Sequence, residues 1–118
     1  MRILVADNHT SLRSALDMLL KCEPEFTLVG QSFDTTSLLT QARTLNPDLI
    51  LLDWELPGQP TDTILPQLKA LPSSPQVIAL SGRPESEQAA RQAGVDLFVS
   101  KTNSAETLLA ALHTLVES

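Results

Sequence analysis

Leu49-Ile50-Leu51-Leu52-Asp53-Trp54-Glu55-Leu56-Pro57-Gly58 sets four consecutive branched apolar residues before an acid and a turn. A short run without polar alternation reads as a strand buried on both faces, the kind found in parallel sheets between layers of helices. Two further runs have the same form. Ile3-Leu4-Val5-Ala6 ends on Asp7, and Leu97-Phe98-Val99-Ser100 ends on Lys101. Strands of a parallel sheet all finish on one edge, so two carboxylates and an ammonium converge at the carboxyl edge, where open α/β sheets place their sites. Such a group suits a pocket that binds a cation and handles a phosphoryl group.

The segments between these runs alternate helix with strand. Leu12, Leu16, Leu19 and Leu20 recur at helical spacing between Asn8 and Glu23, and Pro24 closes that helix. Phe26 to Gly30 is a second short strand; Asp34 caps a helix with Leu38, Leu39, Ala42 and Leu45 that stops at Asn46-Pro47. After the third strand, Asp48 to Asp53, comes the loop Pro57-Gly58-Gln59-Pro60. Thr61 or Asp62 then caps a helix with Ile64, Leu65, Leu68 and Leu71. Pro66 inside it removes a backbone donor and predicts a late start, a kink or an irregular first turn. Pro75 to Leu80 forms the fourth strand, and Pro84 suits the first position of a helix ending at Gly94. Asn103 and Glu106 have the spacing of a capping box before a last helix with Ala105, Leu108, Leu112 and Leu115. Five strands alternating with five helices, joined by right-handed crossovers, define a doubly wound α/β architecture.

The 118 residues fit one domain, and 42% hydrophobic content is enough for a single core. Eight Lys and Arg against fourteen Asp and Glu give a net charge of -6 without the basic stripe of a nucleic-acid-binding face, so the segment is not expected to hold DNA by itself. A lone Cys22 has no partner for an internal disulfide and favours a reducing, cytoplasmic setting. No apolar stretch reaches the ~18 residues of a membrane span, and Met1-Arg2-Ile3-Leu4-Val5 runs straight into a strand, so neither a membrane association nor export is expected.

Asp7-Asn8-His9 after the first strand, Asp53-Trp54-Glu55-Leu56-Pro57-Gly58 after the third, Ser81-Gly82 after the fourth and Lys101 after the fifth together resemble the response-regulator receiver domain over essentially the whole chain. The Ser100-Lys101-Thr102-Asn103-Ser104 stretch and the Asp-Asn-His start are closest to the NarL-type subgroup of transcriptional regulators. The resemblance implies a flavodoxin-like, five-stranded parallel sheet of order 2-1-3-4-5 with five helices. It also implies that residues 1–118 are the receiver alone, with the output domain absent from this chain: a DNA-binding helix-turn-helix is expected to follow if this is part of a longer NarL-type regulator, and another protein is the expected partner if the chain is complete.

By the same resemblance, Asp53 is the phosphoacceptor that takes a phosphoryl group from a phosphohistidine on a sensor histidine kinase. Asp7, Asn8, Asp53 and the backbone carbonyl of Glu55 serve Mg2+, an ion that wants oxygen ligands and keeps several waters. Lys101 and Ser81 hold phosphoryl oxygens, and Gly82 leaves the approach open. Asn8 departs from the family, many of whose members carry a second acid there; an amide keeps an oxygen ligand but removes a charge. His9 is read as structural, Phe98 as core and His113 as a partly exposed helix residue. Glu55 and Arg83 bear opposite charges on neighbouring loops, consistent either with a salt bridge across the pocket mouth or with two independent solvated side chains.

The leading function is therefore a phosphorylation-driven switch that regulates an output. The alternative is a degenerate receiver that works by protein contacts without phosphate, for which Asn8 is the support. A nucleotide-binding enzyme lacks its Gly-rich loop and G-x-G-x-x-G, and an Asp-nucleophile phosphatase would show Asp-x-Asp on the first strand. The expected role is non-enzymatic apart from assistance to the domain's own phosphorylation and dephosphorylation. Leu109, Val116 and Met18 lie off the stripes that cover the sheet, which predicts a homodimer.

Overall fold

The computed structural model describes residues 1–102 and 105–117. The chain alternates β1 (Arg2–Ala6), α1 (Thr10–Leu20), β2 (Thr27–Ser32), α2 (Thr35–Leu45), β3 (Leu49–Asp53), α3 (Thr61–Lys69), β4 (Gln76–Ser81), α4 (Ser86–Ala93), β5 (Leu97–Ser100) and α5 (Ala105–Glu117). All strand pairs are parallel, and the order is β2-β1-β3-β4-β5. The doubly wound sheet expected from the apolar runs is thus the one observed.

Strand periodicity sorts the core into two layers. Ile3, Val5, Leu49, Leu51, Ile78 and Leu80 face one side, where Leu16 and Leu20 of α1 and Leu108 and Leu112 of α5 cover them. Leu4, Ala6, Ile50, Leu52 and Val77 face the other, beneath Leu38 and Ala42 of α2 and Ile64, Leu65 and Leu68 of α3. Every residue of β3 is buried, as its unbroken apolar run requires.

Helix ends follow local chemistry, with three departures from the sequence reading. Asp34 caps α2 as expected, accepting the Ser37 N–H at 2.7 Å, and Asn46 ends the helix in the left-handed region at φ 50°. Neither Thr61 nor Asp62 caps α3. The Pro60 carbonyl accepts from Thr63 and Ile64 instead, and the buried Thr61 hydroxyl donates to the Trp54 carbonyl at 2.9 Å. Of the three outcomes expected from Pro66, the late start does not occur, whereas the first turn is irregular, with the Thr63 N–H donating to the Pro60 carbonyl three residues back; Pro66 lies on the exposed side of the helix, where the Asp62 carbonyl that loses its donor can turn to water. Pro84 precedes α4 rather than opening it, in a turn where the Ser86 N–H donates to the Arg83 carbonyl. Asn103, the predicted cap of α5, lies outside the described residues.

β2 runs two residues past Gly30, because Gly30, Gln31 and Ser32 pair with Leu4, Val5 and Ala6. Leu109 packs against the first core layer, so it leaves the list of surplus surface residues, whereas Met18 is 73% and Val116 43% exposed. Phe98 is only half-buried and belongs to neither core layer, a correction that follows from its place on the edge strand β5. No helix among the described residues is long and apolar enough to cross a membrane.

Candidate functional site

Register delivers the site residues to one place. Ala6 pairs with Leu52, so Asp7 and Asp53 stand level at the ends of the adjacent strands β1 and β3. Asp53 pairs with Leu80 and Ser81 with Ser100, so Ser81 and Lys101 each step one residue further across the same edge. Backbone bonds at the strand ends fix these positions: Asp7 N–H donates to the Ser32 carbonyl, Trp54 N–H to Leu80, and Lys101 N–H to Ser81. The side chains of Asp7, Asp53 and Ser81 are consequently almost wholly removed from water.

The Lys101 ammonium bridges the two acids, 2.9 Å from Asp7 Oδ2 and 3.1 Å from Asp53 Oδ2. Burial alone would lower the lysine's pKa; the two carboxylates outweigh it and hold the value above the ordinary lysine range. The other oxygen of each acid is oriented by backbone. Asp53 Oδ1 accepts the Glu55 N–H at 2.9 Å, and Asp7 Oδ1 accepts the His9 N–H at 2.7 Å. His9 Nδ1 lies 3.0 Å from the same Asp7 oxygen and 3.4 Å from the Lys101 ammonium. Above the acids opens a cleft of about 360 Å³ lined by Asn8, His9, Asp53, Glu55, Gly82, Arg83 and Lys101.

Ser81 does not point its hydroxyl proton at Asp53. The hydroxyl donates to the Glu55 carboxylate, with Oε1 at 2.8 Å and Oε2 at 2.9 Å, and accepts the Arg83 N–H at 3.0 Å. Ser86 at the start of α4 donates to Glu55 Oε2 at 3.2 Å. Of the two arrangements open for Glu55 and Arg83, a mutual salt bridge is not found among the described residues; the Glu55 carboxylate is held by two serine hydroxyls instead. Neither the Glu55 side chain as acceptor nor Ser86 as its partner was identified from sequence. Both depend on the β3–β4 register, and no local spacing signals them.

The donor set is suited to a hard divalent cation. The buried Asp7 and Asp53 and the nearby His9 offer ligand atoms within 4.8 Å of one another, two of them on hard carboxylate oxygens. The Asn8 amide is exposed at the rim of the same cleft. A second group, Glu23, Glu25 and His113, brings the α1–β2 connection together with α5. His113, 38% exposed, has Glu23 at 3.8 Å and Glu25 at 3.7 Å and meets the Phe26 ring edge-on, joining α5 to the α1–β2 connection.

A doubly wound parallel sheet carrying two buried acids, a lysine that bridges them and a serine on the next strand defines an α/β domain built around an acidic, phosphate-compatible pocket. The model of the response regulator receiver domain matches residues 3–113, and the chain belongs to that family. It is 34% identical over 113 residues to the nitrate/nitrite response regulator protein NarL of Escherichia coli K12, covering 94% of this chain and 52% of that protein. It is 31% identical over 116 residues to the fimbriae Z protein of the same organism, covering 97% and 55%. The chain therefore spans about half the length of the curated relatives it matches. Among solved structures, the isolated receiver domain of RcsB from Salmonella enterica serovar Typhimurium, determined with the phosphomimetic BeF3-, superposes with a TM-score of 0.88 at 22% identity, covering all of this chain and 89% of that one. A LuxR-family two-component response regulator from Aurantimonas gives 0.85 at 21% identity, covering 98% and 84%. The fold, the family and the two-component class are those the strand-end residues implied.

Proposed function

We propose that Asp53 is the phosphoacceptor of this receiver. The observation that carries the reading is the buried Asp53 carboxylate held between the Glu55 N–H and the Lys101 ammonium beside a second buried acid. In the reaction a carboxylate oxygen of Asp53 attacks the phosphorus of a kinase phosphohistidine; the new P–O bond replaces the P–N bond, and the imidazole leaves with the electron pair and takes a proton. Lys101 supplies a fixed positive charge to the transferred group, and the Glu55 N–H keeps the nucleophile oriented. Ser81 is a hydroxyl donor for a phosphoryl oxygen once it turns from Glu55. Asp7, Asp53, the Glu55 carbonyl and Asn8 would hold Mg2+, which when bound neutralises charge developing on the phosphoryl oxygens.

The switch reading follows from the added charge, about -1.5 to -2 at neutral pH, at a site touching the start of α4. A sensor histidine kinase is the upstream partner. Residues 1–118 form the receiver unit, and a DNA-binding output domain outside this sequence is the downstream target. The setting is cytoplasmic, and the domain acts as a phosphoacceptor rather than as an enzyme on other substrates. Exposed Met18 on α1 and Val116 on α5 support pairing with a second copy. Intact mass after incubation with Mg2+ and acetyl phosphate tests the central claim: one phosphoryl group is gained by the parent and none by Asp53→Asn. A gain that survives Asp53→Asn refutes it.

A further inference from the structure

We infer that Glu55 is a positioning residue: in the unphosphorylated domain its carboxylate captures Ser81 and ties it to Ser86, so that phosphorylation must win the Ser81 hydroxyl away and thereby frees the start of α4. The inference rests on the reading of Asp53 as phosphoacceptor with Ser81 as its phosphoryl ligand.

A serine hydroxyl has a single proton to donate. In Ser81 that proton lies against the two Glu55 oxygens at 2.8 and 2.9 Å, while the oxygen accepts the Arg83 N–H. Ser81 is fully buried, so water does not compete for the proton, and a charge-assisted bond in such a place is strong. Donation to a phosphoryl oxygen and donation to Glu55 are thus mutually exclusive. Glu55 is also coupled to Asp53 from the other side, because its own N–H is bonded to Asp53 Oδ1. A dianionic group on Asp53 would repel the Glu55 carboxylate at the moment it attracts the Ser81 proton, and both forces open the same contact.

The consequence reaches α4 through Ser86, whose hydroxyl holds Glu55 Oε2 at 3.2 Å. That helix is lightly held. It has eight residues, no side-chain cap at Glu85, and Ala90 as its single buried residue. An element with so little burial is the kind that shifts between two positions under a small bias. Loss of the Glu55 carboxylate from its present place therefore removes one of few tethers at its first turn.

Beryllofluoride is the probe, titrated against the chain in excess Mg2+ and followed by fluorescence of Trp54, next to Asp53, and by amide exchange at residues 86–88. Glu55→Ala is expected to tighten beryllofluoride by roughly tenfold, the size of one charge-assisted hydrogen bond released from competition. Glu55→Gln, which keeps an acceptor for Ser81, should tighten it less. Glu55→Ala should also speed exchange at residues 86–88 without ligand. Once Ser81→Ala is present, adding Glu55→Ala should change affinity by less than about twofold, since the competition no longer exists. Equal tightening with and without Ser81→Ala would mean that Glu55 acts by charge alone and would overturn the inference. A parent chain that ignores beryllofluoride, or a response that survives Asp53→Asn, would instead overturn the phosphoacceptor reading on which it rests.

Discussion

Replacing Lys101 by Met removes the ammonium that bridges Asp7 and Asp53 while keeping most of the side chain's length. The ammonium lies 2.9 and 3.1 Å from the two carboxylates. At an effective dielectric constant of ~20, each contact is worth about 5 kcal/mol before desolvation. Burying the ammonium cancels much of that gain, and truncating one partner of a buried pair typically costs ~3–5 kcal/mol. Because Lys101 keeps 21% of its side-chain exposure, the lower part of the range applies, about 2–4 kcal/mol. For a domain of this size that is a fall in Tm of roughly 8–16 °C at pH 7 in chelator. The pH dependence carries the diagnosis. The lysine's pKa is raised, so its stabilisation is complete below the ordinary value of 10.5 and is lost as pH rises through the higher folded value. Lys101→Met should lack that alkaline loss. Thermal melts from pH 7 to 11 read both effects. A variant within about 1 kcal/mol of the parent at pH 7, or one that keeps the parent's alkaline loss, would refute the account of Lys101 as the counter-ion of both acids.

Asn8→Asp should tighten Mg2+ by roughly three- to tenfold in a fluorescence titration, since a full charge is added at the rim of an oxygen-ligand site; unchanged affinity would place Asn8 outside the metal's reach. Gly58→Ala should cost about 1–3 kcal/mol in a denaturant melt, because Gly58 sits at φ 113° and a Cβ there would collide with Thr35 Oγ1, which accepts the Gln59 N–H at 2.8 Å. Asp34→Ala should lower Tm at pH 7. Its carboxyl is held below the usual 3.8 chiefly by the bond from the Ser37 backbone N–H, so its stabilisation is present above that value and lost as pH falls through the lower folded one, where parent and variant should converge. Sedimentation of the parent, with and without acetyl phosphate, should show a dimer that Met18→Lys or Val116→Lys weakens.

The apolar runs ending on Asp7, Asp53 and Lys101 were enough to settle the layer architecture. A strand buried on both faces must be unbroken in hydrophobicity, and parallel strands must end together. Asp34 and Asn46 were equally legible, since a cap or a left-handed stop is chosen by the residue itself. What the linear order did not carry was any fact that depends on how far one strand slides against the next. That register makes Asp7 level with Asp53 and brings Ser81, rather than Arg83, to the Glu55 carboxylate. Thr61 illustrates the same limit on a smaller scale: its residue type suits a helix cap, but the Trp54 carbonyl across the loop takes its hydroxyl and Pro60 supplies the turn. Leu109 looked surplus to its helix stripe, yet α5 sits deep enough against β5 and α1 to pack it on the core. Local chemistry is written in single residues and their near neighbours. Side-chain partnership between distant strands is decided by packing, which selects one pairing from several that the residue types allow.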